Sequence, residues 1–273
     1  MPALYVVATP IGNLEDISLR ALRLLKQVKL IAAEDTRTTR QLLNFYDIKT
    51  PLTSYHEHNK RAKLDYLLDR LTKEDVALVS EAGMPGLSDP GYELIAAAIE
   101  SGISVVPVPG ASAVITALAV SGLPTNQFLY LGFLPRRKGA KRRLFKSVAD
   151  EPRTIVTFEA PHRLIETLND ALEILEDRKV AVCRELTKVY EEVFRGRLSQ
   201  AIEHFTQPRG EFTLVIEGKA DRDPEISRQI ETELRKLHRQ GVRAKEAVAR
   251  LSESSGISKK KLYQAWLKAT KGG

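Results

Sequence analysis

Short apolar runs rich in β-branched residues alternate with helix-patterned segments from the start of this chain, and that alternation leaves few folds open. Residues 4–8, 29–33, 75–80 and 103–108 read as strands, and residues 17–28, 38–46, 59–72 and 91–101 between them read as helices. Strands that alternate with helices predict an α/β domain with a mainly parallel sheet. An apolar helix over 111–121 leads into Gly122-Leu123-Pro124-Thr125-Asn126, a hinge-like stretch. A second alternating unit follows, with strands at 128–133, 154–160, 179–186 and 211–217 and helices at 136–146, 163–175 and 198–205. After Gly218 only charged helical patterning remains. The expected organisation is an N-terminal α/β domain (1–121), a second α/β domain with a mixed sheet (125–220) and a basic helical tail (221–273).

The loop Ser80-Glu81-Ala82-Gly83-Met84-Pro85-Gly86-Leu87-Ser88-Asp89-Pro90-Gly91 carries the strongest functional signal. A strand-to-helix connection needs only about two to six residues. This longer one brings three glycines, which admit sharp bends and close ligand approach, and two prolines that stiffen it. It also presents two carboxylates and two hydroxyls just past a strand end, where ligands of open α/β sheets bind. The first turn, Ala8-Thr9-Pro10-Ile11-Gly12-Asn13-Leu14-Glu15-Asp16, is a weaker signal of the same kind. Neither a GxGxxG fingerprint nor a Walker A sequence is present, so the usual dinucleotide and P-loop signatures are missing.

Composition removes other classes. With one cysteine, Cys183, the chain cannot build a disulfide framework or a thiolate cluster, and its setting in Val180-Ala181-Val182-Cys183 predicts a buried thiol. His56-Glu57-His58 lacks the i, i+4 spacing of a helical zinc motif and reads as a solvated loop. The start of the sequence has no secretory pattern, and the most apolar stretch, 111–120, is too short to span a bilayer. A cytoplasmic protein with no membrane partner and no metal is expected.

The net charge of +7 is placed unevenly. Residues 221–273 hold 13 Lys and Arg against 7 Asp and Glu, whereas residues 1–220 are nearly balanced, 29 against 28. Within that balanced part, Arg136, Arg137, Lys138, Lys141, Arg142, Arg143 and Lys146 crowd together. Two cationic patches on a neutral body predict a polyanionic partner. In the tail, Ala247, Val248 and Leu251, then Gly256, then Leu262, Ala265 and Trp266 form a helix-turn-helix pattern. Ser258 is placed to cap the second helix and to present Lys259, Lys260 and Lys261 outward, and Trp266 reads as core.

Several motifs together resemble the tetrapyrrole methylase superfamily: 9–17 (Thr-Pro-Ile-Gly-Asn-Leu-Glu-Asp-Ile), Glu34-Asp-Thr-Arg37, the 80–91 loop and 107–113 (Pro-Val-Pro-Gly-Ala-Ser-Ala). Gly132-Phe-Leu-Pro-Arg-Arg-Lys138, Glu159-Ala-Pro-His-Arg163, Arg184-Glu-Leu-Thr-Lys188 and Gly210-Glu-Phe-Thr-Leu-Val215 are similar to its ribosomal RNA small-subunit methyltransferase I branch. The 80–91 loop departs from that branch at Glu81 and Met84, where many members carry Asp and Thr. The resemblance implies a two-domain fold that holds S-adenosylmethionine in its cleft, commonly as a homodimer. The implied activity is methylation of the ribose 2′-hydroxyl of a cytidine in 16S rRNA, free or within the 30S subunit. Carried over by motif, the cofactor contacts are Pro10, Ser80, Glu81, Ala82, Gly83, Ala111, Ser112, Ala113, Leu134 and Glu211.

The 2′-hydroxyl is a weak acid, so such a site needs a proton acceptor. Glu34, Asp35, Glu81 and Glu185 are the leading candidates, with Asp89 and Glu159 also at strand ends or in the long loop. Arg37 either binds phosphate or pairs with the neighbouring acids, and Lys188 suits a phosphate contact. RNA contacts are therefore assigned to Arg37, Arg136, Arg137, Lys138, Arg142, Arg143, Lys188, Lys259, Lys260 and Lys261. Two other readings stand beside this one: a tetrapyrrole C-methylase of the same fold, and a non-enzymatic nucleic-acid-binding regulator built on the tail.

Overall fold

The computed structural model describes residues 2–219 and 226–270, which fall into two compact units divided after Lys219. In the first, β1 (Ala3–Val7), β2 (Leu30–Ala33), β3 (Leu52–Ser54), β4 (Val76–Val79) and β5 (Ser104–Val108) pair in the order β3-β2-β4-β1-β5, every pair parallel. β2 and β4 are buried along their whole length, as strands of a parallel sheet covered on both faces must be. Alternate side chains divide between two cores. Val7, Ile31, Ala77 and Val79 meet α1 (Leu19–Gln27) and α2 (Thr36–Phe45) through Leu24, Leu25, Leu42 and Leu43. Leu4, Val6, Ala32 and Leu78 meet α3 (Lys60–Leu71) and α4 (Tyr92–Glu100) through Leu67, Leu71 and Leu94.

The second sheet is mixed. β6 (Phe128–Phe133), β7 (Thr154–Glu159), β8 (Lys179–Arg184), β9 (Glu192–Arg197) and β10 (Phe212–Ile216) pair in the order β6-β7-β10-β8-β9, and only β6 and β7 run parallel. α6 (Lys138–Ser147), α7 (Leu164–Leu175) and α8 (Leu198–His204) contribute to the core on one face. α5 (Ala113–Ser121), which follows β5 in sequence, contributes Ala117 and Leu118 to the other, with Val156, Ala181, Cys183 and Val215. Burial there pushes the Cys183 thiol up to about 11, so it is an inert core group. The expected parallel and mixed sheets are both present. β3 and β9 were not expected: each is an edge strand, one of three residues and one carrying Glu192, Arg195 and Arg197, so neither shows a buried-strand pattern.

The second unit contains three helices among its described residues: α9 (Arg228–Arg239), α10 (Ala244–Ser255) and α11 (Lys259–Thr270). Leu234, Leu237, Val248, Leu251, Leu262 and Trp266 form its core, so the lone tryptophan is structural, as its helical spacing indicates. Gly256, at φ 69°, ends α10 in the left-handed region, and the Ser258 hydroxyl accepts the Lys261 N–H at 3.3 Å. Positions 221–225 and 271–273 of the expected tail lie outside the described residues.

Candidate active site

The chain leaves β1 toward β2 on one side of the first sheet and leaves β4 toward β5 on the other, so the strand order reverses between β1 and β4. A crevice at the carboxyl ends of those two strands is the expected ligand position. Backbone bridging between Thr9 and Gly83 laces the two loops together there, and the Thr9 hydroxyl donates to the Ser80 carbonyl at 3.3 Å. Gly12 brings the first loop against the second sheet. A methyl group on it would stand 2.9 Å from the Leu186 carbonyl oxygen, while the Asn13 N–H donates to Thr187 Oγ1 at 3.0 Å.

A cavity of about 750 Å³ opens at this junction, a size suited to a small-molecule ligand. Pro10, Glu34, Ser80, Glu81, Ala82, Gly83, Ser112, Ala113, Lys188 and Glu211 all line it. Ala111 and Leu134 do not: the Ala111 carbonyl lies beside Gly83, and Leu134 is buried in the second sheet's core. Met84 lines the wall as well, packed against the core shared with α3 and α4.

The acids separate by surroundings. Burial pushes the Glu34 carboxyl upward, against the Glu81 N–H that donates to its Oε2 at 3.1 Å. Asp89, also in the cavity wall, is pushed up to about 7, first by burial and then by the negative charge of Glu34, against a hydrogen bond from Ser80. Asp35 goes the other way, to about 2, because it binds the Arg37 guanidinium (2.8 Å) and caps α2 through the Arg37 N–H (2.7 Å). Glu185 accepts the Glu211 N–H at 2.9 Å and pairs with Lys188 at 3.1 Å; these donors outweigh burial and hold its carboxyl low. Neither Asp35 nor Glu185 lines the cavity, so two of the four leading acids are occupied by local partners. Glu159 lines it, yet its oxygens accept from Thr167 Oγ1 (2.6 Å) and the Ala160 N–H (2.8 Å) and pair with Arg163 (3.3 Å). It is a buried structural carboxylate.

The cations separate too. Arg37 is 88% exposed beside Asp35. Lys188 reaches the cavity but is bridged to Glu185 and Glu211. Arg142 is tied to Asp170 (2.9 Å) and to Glu173 (2.7 Å), and Lys141 is buried between Thr167 and Asp170, so α7 neutralises the middle of the basic cluster. Arg136, Arg137, Lys138 and Arg143 remain exposed, as do Lys259 and Lys260 at the start of α11. Sequence reasoning missed the aromatic wall formed by Tyr130, Phe133 and Phe158; three rings on two adjacent strands were the available signal. The His56 and His58 rings stand 6.0 Å apart, and among the described residues no group of His, Cys, Asp and Glu could hold a metal ion.

Residues 3–202 match the family model described as Tetrapyrrole (Corrin/Porphyrin) Methylases. The chain belongs to that family. Within it, the chain is 47% identical over 272 residues to the ribosomal RNA small subunit methyltransferase I of Halalkalibacterium halodurans, covering 96% of this chain and 94% of that protein. The protein of the same name from Thermotoga maritima is 52% identical over 222 residues, covering 80% of this chain and all of that protein. Uroporphyrin-III-C-methyltransferase from Thermus thermophilus shares the fold, with a TM-score of 0.55 at 21% identity over 79% of this chain and 94% of that one. The two sheets are thus those of the tetrapyrrole methylase fold. Among the described residues no helix is long and apolar enough to cross a membrane.

Proposed function

We propose that this chain transfers a methyl group from S-adenosylmethionine to the ribose 2′-hydroxyl of a cytidine in small-subunit rRNA. The observation that carries the reading is the 47% identity, along nearly the whole chain, to a protein named ribosomal RNA small subunit methyltransferase I. The cavity supports it. Gly83 brings bare backbone to the wall beside Ser80, Ala82, Ser112 and Ala113, a cradle of small residues that suits a nucleoside with an amino-acid arm. Bound there, S-adenosylmethionine would supply an activated methyl group and its own leaving group.

The chain's part is alignment and proton removal. Holding the ribose oxygen in line with the methyl carbon supplies roughly 7 to 11 kcal/mol in favourable cases. Asp89 and Glu34 are the acids placed to accept the proton, since burial keeps both basic and both face the cavity. Arg136, Arg137, Lys138, Arg143 and the α11 lysines take RNA phosphates in this reading, with Arg37 at a separate exposed position. A division at 121–125, a cytoplasmic location and a homodimer belong to the same proposal. Exposed Val189 and Tyr190 offer apolar surface for a second copy.

Incubation with methyl-labelled S-adenosylmethionine and either 30S subunits or free 16S rRNA tests it, followed by nucleoside analysis. Label in 2′-O-methylcytidine is expected. Label only on a corrinoid or porphyrin, or no donor uptake in calorimetry, would overturn the assignment.

A further inference from the structure

We propose that Phe133 is the surface on which the target nucleobase stacks during the reaction. The inference rests on the RNA-methylating reading above and adds the site that grips the base. Phe133 lines the cavity, yet 61% of it is exposed, although Tyr130, Leu131 and Gly132 before it are half-buried and Leu134 after it is buried. It is rigidly backed. Its ring lies 5.2 Å from Phe158, which meets Tyr130 edge-on at 5.5 Å, and the Tyr130 hydroxyl is bonded to Ser88 Oγ at 2.6 Å. Ser88 sits in the loop that carries Asp89, with a left-handed φ of 66° that a non-glycine residue holds only under constraint. The aromatic wall and the proton-accepting loop are therefore joined by a direct contact.

The cations continue from the ring along one clamped segment. Leu134 is buried, and its carbonyl and that of Pro135 both accept from Arg163 Nη2, at 3.1 and 2.7 Å. Exposed Arg136, Arg137 and Lys138 follow directly. An apolar ring with one open face, followed within a few residues by phosphate-binding charge, is the arrangement that accepts an unstacked nucleotide. A ribose inside a structured RNA reaches a buried methyl group only if its nucleotide leaves the helix, and the ring restores the lost stacking. Phe133 carries no hydrogen-bonding group, so it supplies affinity and orientation while base identity is read elsewhere.

The test uses the full chain, labelled S-adenosylmethionine and an rRNA fragment that wild-type protein methylates. Phe133→Ala and Phe133→Leu are each expected to lower kcat/KM for RNA about 10- to 100-fold. Phe133→Tyr and Phe133→Trp should stay within about threefold of wild type. The leucine variant separates stacking from simple apolar filling: wild-type kinetics for Phe133→Leu would overturn the proposal. So would a loss that tracks a change in sedimentation mass, which would assign the ring to contact with a second copy. An inactive wild type would instead overturn the proposed function, and this inference with it.

Discussion

Thr9 and Gly83 hold each other across the gap between two parallel strands. The Thr9 N–H donates to the Gly83 carbonyl at 2.9 Å, and the Gly83 N–H donates back to the Thr9 carbonyl at 3.1 Å. Parallel neighbours ordinarily diverge into separate loops at their carboxyl ends; here one antiparallel bridge closes them into a shared floor for the cavity. Gly83 sits at φ 78°, and a methyl group there would find ordinary room, 3.6 Å from Ile11 Cγ2. The constraint is the backbone angle. Gly83→Ala is expected to cost about 1 to 2 kcal/mol of stability and to weaken S-adenosylmethionine binding, read by thermal denaturation and calorimetry.

With Asp89 as the proposed proton acceptor, methyl transfer should depend on pH. A proton acceptor works only when ionised, so activity should rise as pH passes through about 7, the value to which burial and Glu34 push this carboxyl. Asp89→Asn should lower methyl transfer and flatten that limb while S-adenosylmethionine still binds. Stability moves oppositely. The folded value lies above the ordinary 3.8, so the contribution is full below about 3.8 and is lost as pH rises through about 7. At pH 8 the asparagine variant should therefore be the more stable, by about 1 kcal/mol once solvent screening is allowed for. A pH series of activity and urea midpoints checks both signs.

Lys141 and Asp170 form a buried pair, Nζ to Oδ2 3.1 Å, with the side chains 1% and 4% exposed. Removing Asp170 leaves Lys141 in the core with only Thr167 and half-exposed Glu166 beside it, whereas removing Lys141 leaves Asp170 still paired with Arg142. Asp170→Ala should cost about 3 to 5 kcal/mol, and the double change Lys141→Met with Asp170→Leu distinctly less. Urea denaturation of the three proteins decides it; equal losses for single and double variants would mean that the pair is irrelevant.

Salt dependence distinguishes the cations. Replacing Arg136, Arg137 and Lys138 together by Ala should weaken RNA binding and reduce the log–log salt slope by up to about 2, at roughly 0.7 per phosphate contact. Lys259, Lys260 and Lys261 changed together should act in the same direction. Lys259, Lys260 and Lys261 belong to the second compact unit, whereas every residue lining the cavity belongs to the first, so the α11 set should spare turnover at saturating RNA. Binding titrations at several salt concentrations, with single-turnover kinetics, test both. Arg142 belongs to neither set, since Asp170 and Glu173 already hold it.

Much of this molecule was written locally. Short apolar, β-branched runs and period-3.6 patterns announced the parallel sheet, the mixed sheet and the tail's core around Trp266, because a strand covered on both faces is apolar throughout and a helix buries one face. The glycine-rich loop also signalled its place at the cavity, since twelve residues after a buried strand exceed any connecting need. β3 and β9 escaped because one spans only three residues and the other carries Glu192, Arg195 and Arg197, so neither makes an apolar run.

Proton affinity was not written locally. Asp35 and Asp89 are the same residue type, one just past the end of β2 and the other in the long loop after β4. One is drawn down by an arginine two residues away; the other is raised by walls assembled from distant segments and by Glu34, 55 positions earlier. The same holds for Arg142, neutralised by a helix some thirty residues on, and for Phe133, whose open face no spacing reveals. Burial and through-space charge depend on which segments topology brings together, so only the folded chain could choose among equivalent residues.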